Sequence, residues 1–321
     1  SEYILQGLAS FGSWEVGVIK RLPVPRPISK QKERIAKLAQ SIHDTKASWD
    51  IGNEISTRFD KPWLLREHVI DLSAPITQRL DQLAEYETSE DTRIQTLYDE
   101  LNDEVYLLYG IPESTRKVIE ETLGDRPPEI IWPQMERKTP EQKRMEHVWR
   151  LLSYVVKRVV ETDEDGIVPF ETILKEAGLM DRVYHELEDL FSGQAISRVE
   201  VDIVNELKEK VKGYRAVNSI REWIEDVFFS YHASLYKKRP VIWHIVSKQG
   251  KGQAAFGALV HYHRFDRNGM ALLRGTYLRE AMESFKREAA LASRENREED
   301  RLEWQARLEE AQDLDRRLQL V

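Results

Sequence analysis

The block from Phe228 to Arg264 concentrates aromatic, histidine and basic side chains. Lysine and arginine bind the backbone phosphates of nucleic acids and fix position without reading the base sequence. The candidate DNA-contacting cations, which include two near the start of the chain, are Lys20, Arg21, Lys237, Lys238, Arg239, Lys248, Lys251, Arg264 and Arg267. Lys248 and Lys251 could instead keep an exposed hairpin edge from pairing, and Arg239 and Arg264 could pair with acids of a helical scaffold.

Histidines suggest a second kind of chemistry in the same block. His261 and His263 alternate onto one face of a predicted strand, and His244 lies on the predicted partner strand. Imidazoles are common zinc ligands. Mixed packing of histidine and aromatic side chains is the more frequent reason for such a pattern, however, and we therefore predict no metal site.

Three further motifs imitate catalytic or ligand sites. Asp202, Glu206 and Lys208 resemble nuclease residues but fall within one helical stretch, whereas that chemistry needs acids on adjacent strands. The sequence from Asp163 to Gly166 imitates an EF-hand, yet Thr172 stands where a bidentate glutamate is required. The glycine–lysine–glycine turn lacks the spacing of a P-loop. The sequence therefore predicts no catalytic and no cofactor-binding residue in this chain.

The elements that would position these residues are mainly helices with a small antiparallel β element, an α+β class. Residues 241–247 and 255–265 are rich in β-branched and aromatic side chains and predict two strands joined by a turn. Thr139, Pro140 and Gln142 have the residue types of a helix N-cap, first and third position. The hairpin is therefore expected inside a helical domain.

Other helices are predicted from apolar periodicity and capping residues. Ser29 is a candidate N-cap for a helix over 31–42, and Ser73 for a helix that then continues, as one long helix or a hairpin, to about Tyr109. Residues 275–321 predict a highly charged final helix pair or arm.

The block resembles the C-terminal region of large adenine-specific DNA methyltransferases, namely the PglX proteins of BREX phage exclusion and the fused type IIG and IIL restriction–modification enzymes. The matching residues, in order, are Phe228, Phe229, His232, Tyr236, Arg239, Pro240, Trp243, Ser247, Phe256, Tyr262, His263 and Arg264. An alternating strand at 14–19, a PxP segment and a helix start also resemble the exit from a target-recognition domain. Segments 49–59 and 101–111 match the same family, so the resemblance runs from about Trp14 to the final helix.

The residue patterns and this resemblance together imply a domain order. It comprises the tail of a target-recognition domain at 1–28, a helical spacer at 29–124, a proline-rich linker at 125–138, a helical domain with a β-hairpin at 139–275, and a charged helical arm at 276–321.

The resemblance also implies a function for the whole protein, which is adenine-N6 methylation of DNA with S-adenosylmethionine as cofactor. Such an enzyme needs a glycine-rich loop for that cofactor and an (N/D)PP(Y/F) loop for the target base. The nearest pair, Pro127-Pro128, lacks the adjacent acceptor and aromatic. We therefore expect catalysis to lie outside this chain. We expect the chain itself to brace the recognition domain on double-stranded DNA or to dock other defence-system subunits.

Composition leaves two alternatives open. The 321 residues carry a net charge of −8 and no cysteine, and no signal peptide or membrane-length apolar run occurs, so we expect a cytoplasmic protein without disulfides. The acidic balance favours a protein–protein scaffold without direct DNA contact. A specificity subunit of the type I kind is a further alternative, suited by the sequence around the PxP segment.

Overall fold

The computed structural model describes residues 20, 23, 25–124, 128–173, 176–248 and 254–320. Within these residues, helices dominate and three short strands form one antiparallel sheet. This confirms the predicted class, mainly α with a small antiparallel β element.

The helices are α1 (Ser29–Asp50), α2 (Ile76–Leu108), α3 (Glu113–Leu123), α4 (Pro140–Thr162), α5 (Leu179–Leu190), α6 (Ile196–Lys208), α7 (Ile220–Trp223), α8 (Phe229–Leu235), α9 (Arg267–Leu272), α10 (Arg279–Arg294) and α11 (Glu298–Leu318). Two π-helical segments, Ile224–Phe228 and Leu273–Leu278, join α7 to α8 and α9 to α10. Short 3₁₀ turns occur at Trp63–Leu65, Pro133–Met135 and Tyr262–Arg264. The strands are β1 (Ile167–Pro169), β2 (Ile242–Val246) and β3 (Gly257–His261).

The described residues fall into two compact units. The first contains those up to Arg58 together with Ala84–Lys138. Its centre is Trp49 at the end of α1, which is fully buried, stacks on Tyr86 at 5.4 Å between ring centroids and packs against Trp132. Burial of such large aromatic surfaces holds helices together without regular β structure.

The second unit contains Phe59–Leu83 and the chain from Thr139 onward, and it holds the block of aromatic, histidine and basic residues. Its central helix is α4, which begins with a capping box in which Thr139 and Gln142 bond each other's backbone amides, as predicted. The sheet has the order β1-β3-β2, and β3 is paired on both sides. The middle strand is buried at Ala258, Leu259 and Val260.

Several local predictions are wrong. The first helix runs from Ser29 with Ile28 at its N-cap, so Ser29 is no cap, and the Ser73 hydroxyl donates to Asp71 instead of capping α2. The strand predicted to reach residue 265 ends at His261 because the chain turns into a 3₁₀ segment. The short strand β1 was not predicted. Its three residues follow a turn and end in proline, which gives no alternation to recognise.

Candidate nucleic-acid interface

The hairpin of β2 and β3 is fixed at its base by His232 on α8. Nε2 of this fully buried ring accepts the backbone N–H groups of Val241 and Ile242, each at 3.2 Å. Burial, together with the charge of Lys157, lowers the pKa of His232 to about 4. The ring is therefore neutral at physiological pH and can act as an acceptor, so His232 positions the strand.

Ser247 and Glu310 fix the other end of the hairpin. The Ser247 hydroxyl donates to the Glu310 carboxylate and accepts the N–H of Phe256 at 2.9 Å, while Glu310 also accepts the N–H of Ala255 at 2.9 Å. The side chain of Ser247 is buried. These bonds tie both strands to α11 and explain why a small hydroxyl residue stands at this position.

The basic segment, defined as Lys237, Lys238 and Arg239, follows directly after α8. Lys237 and Lys238 have φ angles of 51° and 65°, in the left-handed region. The Lys238 N–H donates to Ala233 O at 2.7 Å and the Lys237 N–H to Ser234 O at 3.1 Å. This is the Schellman pattern of a helix end, in which glycine usually takes the place of Lys237.

The three side chains of the basic segment are exposed, and none forms an ion pair with a residue that the structure describes. Elsewhere in the second unit many cations are paired with acids: Arg144 with Glu206 at 2.6 Å and Arg158 with Glu186 at 2.7 Å are examples. The backbone of Lys237 and Lys238 carries an unfavourable conformation of about 1 kcal/mol per residue. The segment therefore presents three positive charges on a defined backbone.

Trp243 and Tyr262 form an exposed aromatic pair. Trp243 follows Arg239 of the basic segment by four residues. The two rings stack with centroids 5.3 Å apart and planes 15° apart, and they are 48% and 50% exposed. Trp243 pairs with Val260 in the sheet register, and Tyr262 lies two residues further on, so both lie on one face of the hairpin. The exposed ring of His263 meets the edge of Tyr262 at 5.1 Å.

Arg264 has a structural role. Its guanidinium donates to three backbone carbonyls at and beyond the end of α4, those of Glu161, Asp163 and Glu164. These carbonyls have no partner within the helix, and the arginine satisfies them. The sequence left open that Arg264 pairs with acidic side chains. In the structure it binds backbone oxygens instead.

The other predicted cations are dispersed. Arg267 is exposed at the start of α9, and Lys248 is exposed after β2; neither forms an ion pair with described residues. Lys20 is exposed in the first unit. Arg21 and Lys251 lie outside the described residues.

The three histidines considered as metal ligands occupy different environments. His244 is on β2 and stacks on Phe170 at 4.8 Å, and burial lowers its pKa to about 4. His263 lies in the 3₁₀ turn and not on a strand with His261, so the predicted alternation is broken. No group of three or more His, Asp or Glu side chains among the described residues is arranged to hold a metal ion.

A cavity of about 1030 Å³ lies in the second unit and includes His244 in its lining. Successive strand residues point to opposite faces, so the cavity and Trp243 lie on opposite sides of β2. Its lining includes four acidic residues, of which Glu171 and Glu225 share Arg221 and Asp226 binds Arg215.

Trp243 and Tyr262 were part of the family resemblance, but the sequence did not predict them as site residues. Neighbouring residues of a strand point to opposite faces, so a buried Ile242 implies that Trp243 faces away from the core. This alternation was the available signal for its exposure. Nothing in the sequence indicated the left-handed backbone at Lys237 and Lys238, since lysine is not typical of that conformation.

Two curated proteins are similar to parts of this chain. The adenine-specific methyltransferase PglX of Lacticaseibacillus casei (strain Zhang) is 38% identical over 77 residues, which are 24% of this chain and 6% of PglX. The adenine-specific methyltransferase BrxX of Escherichia coli O9:H4 (strain HS) is 27% identical over 125 residues, 36% of this chain and 10% of BrxX. No family model matches the chain. The chain is thus related over part of its length to adenine-specific methyltransferases, and its matches span a tenth or less of theirs.

No helix among the described residues is both long enough and apolar enough to cross a membrane.

Proposed function

We propose that this chain is a non-catalytic part of an adenine-specific DNA methyltransferase, of BREX phage defence or of restriction–modification, in which the basic segment binds backbone phosphates of double-stranded DNA. The supporting observation is the set of three exposed cations, Lys237, Lys238 and Arg239, which have no ion-pair partner among the described residues and follow the fixed end of α8. Phosphate contacts of this kind position a protein on DNA, while base contacts elsewhere supply specificity. S-adenosylmethionine and the methyl transfer would belong to the rest of the longer protein.

Six of the residues that carry the family resemblance divide into two groups, and this division supports the proposal. His232, Ser247 and Arg264 have polar partners that account for them as structural residues. Arg239, Trp243 and Tyr262 are exposed, and the fold of the hairpin does not account for them. Exposed arginine and aromatic residues that packing does not require are candidates for binding.

The test is binding of the whole chain to a mixed-sequence duplex across a salt series. A K237G K238G variant removes two charges and also relieves the left-handed strain, so stability should stay within about 1 kcal/mol of the parent. The slope of log affinity against log salt should become shallower by about 0.9 for each phosphate that the variant no longer neutralises. Thermal unfolding of both proteins establishes that any weakening of binding comes from charge.

The matched control is K210Q K212Q, which removes two exposed lysines of the same unit outside the basic segment. Its salt slope should equal that of the parent. Equal slopes for the parent and K237G K238G, or no binding of the parent at low salt, would contradict the proposal.

A protein–protein scaffold is the second candidate, and the pair α10 and α11 favours it. Leu291 and Leu302 are 43% and 53% exposed on these helices. Their surface also carries intrahelical ion pairs such as Lys286–Glu283 and Arg307–Glu303, which are worth little for stability. Absence of DNA binding at low salt would leave this candidate as the better description.

A further inference from the structure

We propose that the aromatic pair, Trp243 and Tyr262, binds an unpaired or unstacked nucleobase, so that this surface prefers single-stranded or opened DNA to an intact duplex. The inference rests on the proposed DNA contact and adds the kind of DNA that is bound. The observation behind it is a stacked, half-exposed pair of rings whose centroids are 5.3 Å apart.

The exposure of Trp243 is unusual for this molecule. Of the six other tryptophans that the structure describes, Trp304 is partly buried and five are buried, whereas Trp243 is 48% exposed; the buried ones are Trp49, Trp63, Trp132, Trp149 and Trp223. A tryptophan left half in water forgoes much of the free energy that its burial would provide. The ring of Tyr262 stacks on it and is itself 50% exposed, so the pair offers ring surface to a third planar group.

The charge around the aromatic pair favours a nucleic acid as the occupant. Arg239 is four residues before Trp243, so their Cα atoms are at most about 14 Å apart. Lys238 and Lys237 precede Arg239 and have no ion-pair partner among the described residues. Cations beside exposed aromatic rings form the usual platform for single strands, in which phosphates meet the cations and bases stack on the rings.

The stacking chemistry separates single strands from duplexes. In an intact duplex the faces of each base are covered by its neighbours, so a protein ring can reach them only where the stack is opened. Each base–aromatic stack contributes about 1–3 kcal/mol and is tolerant of base identity. The aromatic pair should therefore raise affinity for an unpaired strand and leave duplex affinity unchanged.

The experiment compares an oligodeoxythymidylate with a duplex of equal length, using the whole chain and three variants. W243L keeps apolar bulk over Val260 but removes the ring face, W243F keeps a ring, and K237G K238G removes charge. We expect W243L to weaken single-strand binding by about fivefold or more, and W243F to weaken it less. Neither should change duplex binding, whereas K237G K238G should weaken both.

A second readout does not depend on the stability of W243L. Quenching of tryptophan fluorescence by acrylamide, taken as the difference between the parent and W243F, reports the exposure of Trp243. The single strand should protect Trp243 from the quencher, and the duplex should not.

The outcomes separate the two proposals. Unchanged single-strand affinity in W243L with a weakened K237G K238G overturns base stacking and leaves phosphate contact standing. Equal reductions in strand and duplex affinity in W243L also overturn it. Absence of binding to both nucleic acids would contradict both proposals. It is the result expected of a protein-docking surface, where tryptophan and tyrosine are often the central residues.

Discussion

At the scale of single residues, Tyr277 joins two carboxyl groups inside the second unit. Its hydroxyl lies 2.8 Å from Oδ2 of Asp165 and 2.7 Å from Oε2 of Glu176. Burial, followed by these bonds, raises the pKa of Tyr277 far above its usual range, so it keeps its one proton. A single proton can serve only one carboxylate, and the second bond needs a proton from a carboxyl group. Burial raises the pKa of both Asp165 and Glu176, which favours such a shared proton.

The shared proton predicts different effects on stability for two substitutions. Y277F leaves two half-buried carboxyl groups without their donor and should lower the free energy of unfolding by about 1–3 kcal/mol. E176Q should stay within about 1 kcal/mol, because a glutamine amide can donate to Tyr277 while its carbonyl oxygen accepts from Arg182. Urea unfolding in mildly acidic buffer, near the ordinary pKa of carboxyl groups, measures both, because the raised pKa values of Asp165 and Glu176 favour the shared proton there. A destabilisation in E176Q as large as that in Y277F would contradict the shared proton.

The same cluster gives a pH dependence with a defined sign. A carboxyl group whose pKa is higher in the folded than in the unfolded state adds stability below its unfolded pKa, and this is lost as pH rises through the folded pKa. Asp165 and Glu176 are of this kind. The parent should therefore lose more of this contribution than E176Q between acidic and neutral pH, which the same unfolding series measures.

Sequence patterns predict single residues well where one local interaction decides the outcome. The capping box at Thr139 and Gln142 is such a case, since both bonds form within one turn. Sequence patterns fail where a group distant in the chain determines the role of a residue. Nothing near Arg264 in the sequence indicates the carbonyls about a hundred positions earlier, which it binds. The binding role of the cations in the basic segment remains a prediction.

At the scale of elements, Gly178 is required by a close approach between backbones. It precedes α5, and a Cβ there would lie 2.7 Å from the Thr172 nitrogen and 2.8 Å from the Phe170 oxygen. These are backbone atoms, which cannot move as the end of a flexible side chain can. The turn before α5 therefore depends on the missing side chain.

We predict that G178A lowers the free energy of unfolding by about 1–3 kcal/mol, because the backbone must shift to accept the methyl group. G275A is the matched control in a helical segment, where no heavy atom other than those of its chain neighbours and its own helix backbone lies within 4 Å of the added carbon. It should be neutral or stabilise the fold by up to about 1 kcal/mol, since alanine favours helical backbone. Thermal or urea unfolding compares the two. Equal effects would show that the contacts around Gly178 do not determine the outcome.

Element boundaries show what periodicity can and cannot predict. The pattern through α2 fitted one long helix or a hairpin, and the structure has a single helix of 33 residues. Apolar spacing is the same in both cases, so only the absence of a turn in three dimensions separates them. The strand β1 has three residues, and tertiary pairing with β3 defines it more than its own sequence does.

At the scale of the whole molecule, the net charge of −8 opposes the approach of DNA, while the basic segment attracts it at short range. Long-range repulsion acts on the rate of association, and contacts made in the complex act on the rate of dissociation. Exposed acids outside the basic segment can therefore slow binding without touching DNA. Glu299 and Glu309 on α11 are exposed and suit this test.

Replacing both acids, as E299Q E309Q, should raise the association rate with duplex DNA by about twofold at low ionic strength and leave the dissociation rate unchanged. Salt near physiological concentration reduces the screening length to about 8 Å, so the difference between parent and variant should disappear there. Stopped-flow association at two salt concentrations measures this. A changed dissociation rate would mean that α11 touches the DNA, and an acceleration that persists in salt would rule out long-range charge as its cause. The acidic balance that favours a scaffold is thus compatible with DNA binding only if its effect is kinetic and removable by salt.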